Sequence, residues 1–285
     1  MNDKRRFRAG LVQLRSGRSV KPNLDKAEEF IRRAAKGGAT YVQTPENTGL
    51  MELKPELVLE AAETEEKSEP LAHLRTLARE LGVYLHIGSL AIKLDRAHVA
   101  NRSYVIDPEG QVVARYDKLH MFDVDLPGGE SYRESKYFRP GGKAIVAELP
   151  FGRVGLSICY DLRFPTLYRA LASAGAELIA VPSAFTRQTG EAHWRVLVRA
   201  RAIETGTFML AATQGGLHEN GRATYGHSLI VSPWGEVLAE GGEEPGVIFA
   251  DIDLTAVEDV RRRIPALKHG RNFEVEIAGA KQELS

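Results

Sequence analysis

Cysteine is almost absent from this chain: of 285 residues, only Cys159 carries a thiol. A single cysteine excludes an intrachain disulfide framework and every multi-cysteine metal site, and it fits a reducing compartment. Net charge is missing too. Lysine plus arginine equals aspartate plus glutamate, 38 against 38, so no overall field favours nucleic acid or an anionic membrane surface. Long apolar runs are also lacking: none is long enough to span a bilayer, and the charged stretch Met1 to Arg8 leads into a segment too short for a signal-peptide core. No solenoid-period repeat, low-complexity tract or dividing linker interrupts the chain. Together these absences predict a soluble cytoplasmic protein, one domain over residues 1–285, with a small molecule rather than nucleic acid or membrane as its partner.

What is present is an alternation of strands and helices. Phe7 to Leu14 reads as a strand, and Asn23 reads as the N-cap of a helix whose apolar face is Leu24, Ala27, Ile31, Ala34 and Ala35. Gly37-Gly38 ends that helix, and Tyr41 to Gln43 forms the next strand, so the opening unit is strand, helix, strand with parallel pairing. The acidic run Glu52 to Glu69 reads as a solvated connection. Ser68 caps a helix carrying Leu71, Leu74, Leu77, Ala78 and Leu81, closed by Gly82 and followed by a strand over Val83 to Leu90. Asp107-Pro-Glu-Gly110 joins strands Arg102–Ile106 and Val112–Tyr116 as an antiparallel hairpin, which makes the sheet mixed. Residues 123–143 are Gly- and Pro-rich and too long for an idle connection, which predicts a functional loop. Further on, a helix is expected over His193 to Glu204, with Trp194, Leu197, Val198 and Ile203 buried, then a loop over Gly215 to Gly221 and a second hairpin around Ser232-Pro-Trp-Gly235.

Several chemically capable residues fall at strand ends. Cys159 lies between the apolar run Val154 to Ile158 and a helix opened by Pro165, at the carboxyl edge of a sheet, where a neighbouring helix N-terminus would favour a thiolate. Two readings stand for it, a reactive nucleophile and a small buried hydrophobe. Glu46, in Thr-Pro-Glu-Asn, follows the second strand and reads as a catalytic carboxylate or as a surface acid. Lys118, in Tyr-Asp-Lys-Leu-His, follows the first hairpin, and Glu134 stands in Tyr-Arg-Glu-Ser within the long loop. A thiol nucleophile needs a base for its proton, and an amide under attack needs a cation or N–H donors at the developing oxyanion. Carboxylate, ammonium and thiol fill those roles with no metal and no cofactor. Pro140-Gly-Gly-Lys143 lacks the spacing of a phosphate-binding loop, so nucleotide binding is not expected.

These four motifs, in this order, resemble the nitrilase superfamily of carbon–nitrogen hydrolases from about Phe7 to Phe273, which marks the core of the expected domain. Ala192-His-Trp, Arg199-Ala-Arg-Ala-Ile-Glu204 and Tyr225-Gly-His-Ser with Pro233-Trp-Gly add to the resemblance. Cys159-Tyr-Asp-Leu-Arg-Phe-Pro is similar to the Nit-type amidase branch rather than to true nitrilases, and the runs Ala184-Phe-x-x-x-Thr-Gly and Gly221-Arg-Ala-x-Tyr-Gly-His-Ser most resemble deaminated glutathione amidases. Ser232 departs from the Asp that relatives often place before Pro-Trp-Gly, a change confined to a hairpin turn.

The resemblance implies an α/β fold of the α-β-β-α sandwich type, two mixed sheets face to face with helices outside, and a homodimer or higher homo-oligomer. It also implies roles: Glu46 as general base, Cys159 as nucleophile, Lys118 and the Tyr160 N–H as oxyanion donors, and Glu134 orienting Lys118. For a carboxylate-bearing α-keto acid amide, Arg163 is the expected carboxylate grip, an internal salt bridge being its other reading; Thr189 and Phe185 are the expected neighbouring contacts. Deaminated glutathione is the expected substrate, 2-oxoglutaramate or 2-oxosuccinamate the alternative; a catalytically idle binding scaffold is the reading from another class. His193 and His227 read as polar groups bonded beneath the site, since no spacing favours a thiol-protease dyad.

Overall fold

Apolar residues alternating along short runs, separated by helices of amphipathic period, dictate sheets with a buried face on each side. The computed structural model describes residues 5–278; both ends of the expected 1–285 domain, including Met1 to Lys4 of its charged N-terminus, lie outside the described residues. The first half runs β1 (Arg6–Gln13), α1 (Val20–Lys36), β2 (Tyr41–Gln43), α2 (Pro55–Ala61), α3 (Glu69–Leu81), β3 (Tyr84–Lys93), β4 (Val99–Ile106) and β5 (Val112–Asp117). Ser68 accepts a hydrogen bond from the Leu71 N–H at the start of α3, and Gly82 closes that helix in the left-handed conformation, φ 64°. The predicted hairpin joins β4 to β5, with the Gly110 N–H donating to the Asp107 carbonyl.

The second half continues through β6 (Asp123–Asp125), β7 (Ser131–Arg133), β8 (Val146–Leu149), β9 (Gly152–Leu156), α4 (Pro165–Ser173), β10 (Leu178–Ala180), the single turn α5 (Arg187–Thr189), α6 (Arg195–Thr205), β11 (Phe208–Ala211), β12 (Gly215–Leu217), β13 (Ala223–Tyr225), β14 (Leu229–Val231), β15 (Val237–Glu240), β16 (Gly246–Asp253) and α7 (Thr255–Arg263). Two six-stranded sheets result, ordered β16-β1-β2-β3-β4-β5 and β15-β14-β11-β10-β9-β8. In each, three central strands are parallel and the flanking pairs antiparallel, so both sheets are mixed.

Side-chain alternation then sorts the layers. Ala9, Leu11, Tyr41 and Val105 of the first sheet share one apolar cluster with Val154, Leu156, Leu178, Ala180, Phe208 and Leu210 of the second. Their neighbours Val12, Val42, Leu85, Ile87 and Tyr104 face the other way, against Leu24, Ile31, Leu71 and Leu74 of α1 and α3. Helices α4 and α6 cover the far side of the second sheet, where a Cβ at Gly155 would lie only 3.2 Å from Leu171. The expected α-β-β-α sandwich follows.

Four local expectations change. Asn23 lies inside α1, not at its cap; its buried side chain bonds the Gly17 N–H (2.6 Å), the Gly17 carbonyl (2.9 Å) and the Gly49 carbonyl (2.9 Å), tying two loops together because a buried amide must satisfy both its ends. Ile203 is 54% exposed, while Arg201 takes a buried place on α6, donating to the Leu162 carbonyl and lying over the Tyr168 ring. A wide π-helical turn at Gly190–Trp194 precedes α6, and from Trp194 the buried stripe passes through Val198, Ala202 and Thr205. The expected loop over residues 215–221 belongs to a hairpin, β12 paired with β13, and residues 123–143 contain another, β6 with β7.

Candidate active site

Parallel strands deliver their carboxyl ends to one edge, and there the separate motifs meet. Glu46 leaves the end of β2. Lys118 leaves β5, which runs in the same sense as β2 because two antiparallel steps, β3 to β4 to β5, restore the direction. Glu134 begins the short 3-10 turn after β7. From the second sheet, Cys159 follows β9 in a 3-10 turn over Cys159–Arg163, with φ 47°, a conformation a non-glycine residue adopts only when its surroundings impose it. A hydrogen bond from its own N–H to the Pro182 carbonyl, 2.9 Å, helps hold it there.

Lys118 is the hub. Its Nζ lies 2.8 Å from Glu46 Oε1 and 3.0 and 2.9 Å from the two Glu134 oxygens, with its side chain 2% exposed. The Cys159 thiol is hydrogen-bonded to Glu46, and the Ala184 N–H points at the sulfur. Burial works against the charge on Glu46, but the Lys118 ammonium outweighs it and holds the carboxyl below its ordinary range. For Lys118, burial is likewise overcome by Glu134 and Glu46, so the ammonium persists. Cys159 moves the other way: burial, then the Glu46 carboxylate, push its thiol well up. That corrects the expected helix-favoured thiolate. α4 starts only at Pro165, a 3-10 turn away, and an anion faces the sulfur, so the resting group is a thiol with a carboxylate placed to take its proton.

The expected substrate contacts line the same cavity, of about 360 Å³, together with Glu46, Lys118, Glu134 and Cys159. That size suits a small-molecule ligand. Tyr160 packs edge-on against Phe122 and Phe164, and its N–H lies in a first helical turn, where such groups lack an intrahelical acceptor. The Arg163 guanidinium lies 5.4 Å from the Phe185 ring centre and 3.3 Å from His193 Nδ1; among the described residues no acid pairs with it, so the internal salt bridge is not found. Thr189 is buried and shares a hydroxyl hydrogen bond with Thr186. His193 and His227 do not line the cavity; His227 stacks on Tyr225 instead.

The acidic run is more than a solvated connection. Glu52, Leu53, Pro55 and Val58 form part of the cavity wall, and Glu52, with only 4% of its side chain exposed, is held by Arg18 at 2.6 Å. Its charge density disguised this, because Arg18 neutralises it from a loop distant in sequence.

Three contributors escaped the sequence reading. Asn101, buried in β4, donates to Glu46 Oε1 (2.9 Å) and Glu134 Oε1 (3.2 Å), spacing the two carboxylates; a polar residue inside a β-prone run was its only signal. Arg222 reaches the cavity from the β12–β13 turn. Asp161, fully buried, accepts from the Ile158 N–H (2.8 Å), the Tyr116 hydroxyl (2.6 Å) and the His120 N–H (3.1 Å). Its partners Tyr116 and His120 flank Lys118 and Ile158 immediately precedes Cys159, so one carboxylate ties the nucleophile's segment to the cation's. Asp161→Asn, which places an NH₂ among those donors, is expected to destabilise the fold by about 2–4 kcal/mol in urea denaturation; a change under 0.5 kcal/mol would contradict this role.

Comparison with known proteins places this geometry. At 39% identity, the deaminated glutathione amidase of Yersinia enterocolitica aligns over 92% of this chain and 92% of its own length. The mouse protein of the same name is 40% identical over 92% of this chain and 82% of its own. Among solved structures, the C. elegans NitFhit protein superposes with a TM-score of 0.87 at 38% identity, covering 93% of this chain, which spans 65% of that one. Saccharomyces cerevisiae Nit3, a member of branch 10 of the nitrilase superfamily, gives a TM-score of 0.83 at 28% identity over 92% of this chain and 95% of its own. The carbon-nitrogen hydrolase family matches residues 8–262, a span that contains Glu46, Lys118, Glu134 and Cys159, and to that family this chain belongs.

Proposed function

We propose that the protein is an amidase that cleaves the C–N bond of a carboxylate-bearing α-keto acid amide, deaminated glutathione foremost, through a thioester on Cys159. The observation that carries this reading is the contact set in one buried cavity: thiol to Glu46, and Lys118 between Glu46 and Glu134. The names of the relatives at 39–40% identity support the choice of substrate.

In this reading Glu46 takes the thiol proton as Sγ adds to the amide carbon. Negative charge gathers on the carbonyl oxygen, where the Lys118 ammonium and the Tyr160 N–H receive it. Glu46 then hands its proton to the departing amine as the C–N bond breaks, which leaves the acyl group on sulfur. Water enters, loses a proton to Glu46, and attacks the thioester; collapse releases the acid and returns the proton to Cys159. Glu134 keeps Lys118 aimed throughout, and Arg163 grips the α-keto carboxylate.

The test is a side-by-side kcat/KM for deaminated glutathione, followed by release of cysteinylglycine, and for 2-oxoglutaramate, followed by ammonia. A higher value for the first supports the reading and a higher value for the second favours an ω-amidase. No turnover over a broad amide panel would leave only the idle scaffold. We extend the proposal to the assembly: Val196 and Ile203 of α6 and the adjoining Trp234 are 68, 54 and 53% exposed, an apolar set suited to contact with a second copy. Light scattering is expected to give twice the chain mass, and a monomer at micromolar concentration would count against the pairing.

A further inference from the structure

We propose that Arg222 forms a second anion subsite in the cavity, one that holds a carboxylate at the leaving-group end of the substrate and so selects amides with two carboxylates over those with one. This rests on the amidase reading, in which Arg163 already holds the α-keto carboxylate. The cavity's cations differ in how they are engaged. Lys118 is held by Glu46 and Glu134, and Arg133 by Asp125. Arg163, Lys136 and Arg222 line the same cavity with no acid partner among the described ion pairs, and of these Arg222 is held against a backbone carbonyl beside the nucleophile.

Its placement is specific. Nη2 donates to the Ala184 carbonyl at 2.5 Å, and the guanidinium carbon lies 5.1 Å from the Tyr132 ring centre. Nε is buried with no hydrogen-bond partner. The Tyr132 ring on one side and a carbonyl at one corner hold the group in place at the cavity wall, with donor capacity that no acid of the protein takes up. Ala184 directs its N–H at the Cys159 sulfur and its carbonyl at Arg222, so a single residue links nucleophile and guanidinium. Arg222 comes from the β12–β13 hairpin and Tyr132 from the β6–β7 hairpin, so their contact also joins two walls of the cavity.

Charge favours the same conclusion. Glu46, Glu134 and Lys118 sum to one negative charge, which by itself repels an anionic substrate. Arg163, Arg222 and Lys136, which line the same cavity, bring the sum to two positive charges, and a ligand with two carboxylates meets one guanidinium with each.

The test compares kcat/KM for deaminated glutathione with that for its C-terminal carboxamide, a pair equal in size that differs by the distal carboxylate alone. Wild type is expected to prefer the dicarboxylate by about 30-fold, the worth of one charge-assisted contact. In Arg222→Gln the preference is expected to fall towards unity, with the loss mainly in KM, and in Arg222→Lys to an intermediate value. Arg163→Gln is expected to lower both substrates together and leave the ratio in place. Because each ratio comes from one preparation, any misfolded fraction cancels. An Arg222→Gln ratio equal to wild type overturns the inference, as does an equal fall on both substrates, which would assign Arg222 only to the field around Glu46. Wild type that hydrolyses neither compound overturns the amidase reading and this inference with it, whereas active wild type with an unmoved ratio overturns this inference alone.

Discussion

Cys159→Ala is expected to lower kcat for amide hydrolysis by about 10⁴- to 10⁶-fold, the scale on which loss of a covalent nucleophile acts. Cys159 is held at φ 47° at the edge where β2, β5 and β9 end, its thiol against Glu46. The other catalytic candidates, Lys118 and Glu46, are already bonded to each other, and neither is free to form a stable acyl bond in its place. Because the chain has one cysteine, alkylation offers an unambiguous second readout: iodoacetamide is expected to add a single carbamidomethyl mass to wild type and none to the variant. Residual turnover within tenfold of wild type, in a variant with unchanged circular dichroism, would remove Cys159 from the mechanism.

Glu46→Gln is expected to cost about 10²- to 10⁴-fold in kcat, the range of a single general base. The variant keeps the shape of the side chain and an oxygen for Asn101, so the loss reports on proton transfer more than on packing. Deacylation also needs Glu46, so intact mass after mixing with substrate is expected to reveal a thioester on Cys159 that wild type clears too fast to show. A pH profile adds a sign. Protonating Glu46 removes the base, so wild-type kcat/KM falls as pH drops through the carboxyl's own pKa. Lys118 holds that pKa below the ordinary carboxylate range, so no decline from this group is expected between pH 7 and about pH 5. Wild-type activity lost already near pH 6, together with an unimpaired Glu46→Gln, would sink the assignment of the base.

Much of the scaffold was legible because its signals are local. Ser68 and Gly82 bound α3 through their own side-chain and backbone preferences, and the residues of the 107–110 and 232–235 turns set two hairpins. Period-two and helical patterns sorted inner from outer faces. Where elements shrink to three residues, as in β6, β7, β12 and β13, alternation has no room to register, and both hairpins escaped notice. Asn23 misled for a related reason: as a residue type it suits a cap, while its partners, Gly17 and Gly49, are a matter of how two loops pack.

For the site, the sequence by itself determined which chemical groups are available and that Glu46, Lys118 and Cys159 each stand at a strand's end. Only the tertiary structure decided their state. Cys159 is a thiol because folding buries it and sets Glu46, from the other sheet, against its sulfur, and Lys118 stays charged because Glu134 and Glu46 close on it from two further segments. Asn101, Asp161 and Arg222 join the site through partners remote in the chain. A side chain's type is written in the sequence, but its proton, its hydrogen bonds and its exposure depend on neighbours that folding alone brings near.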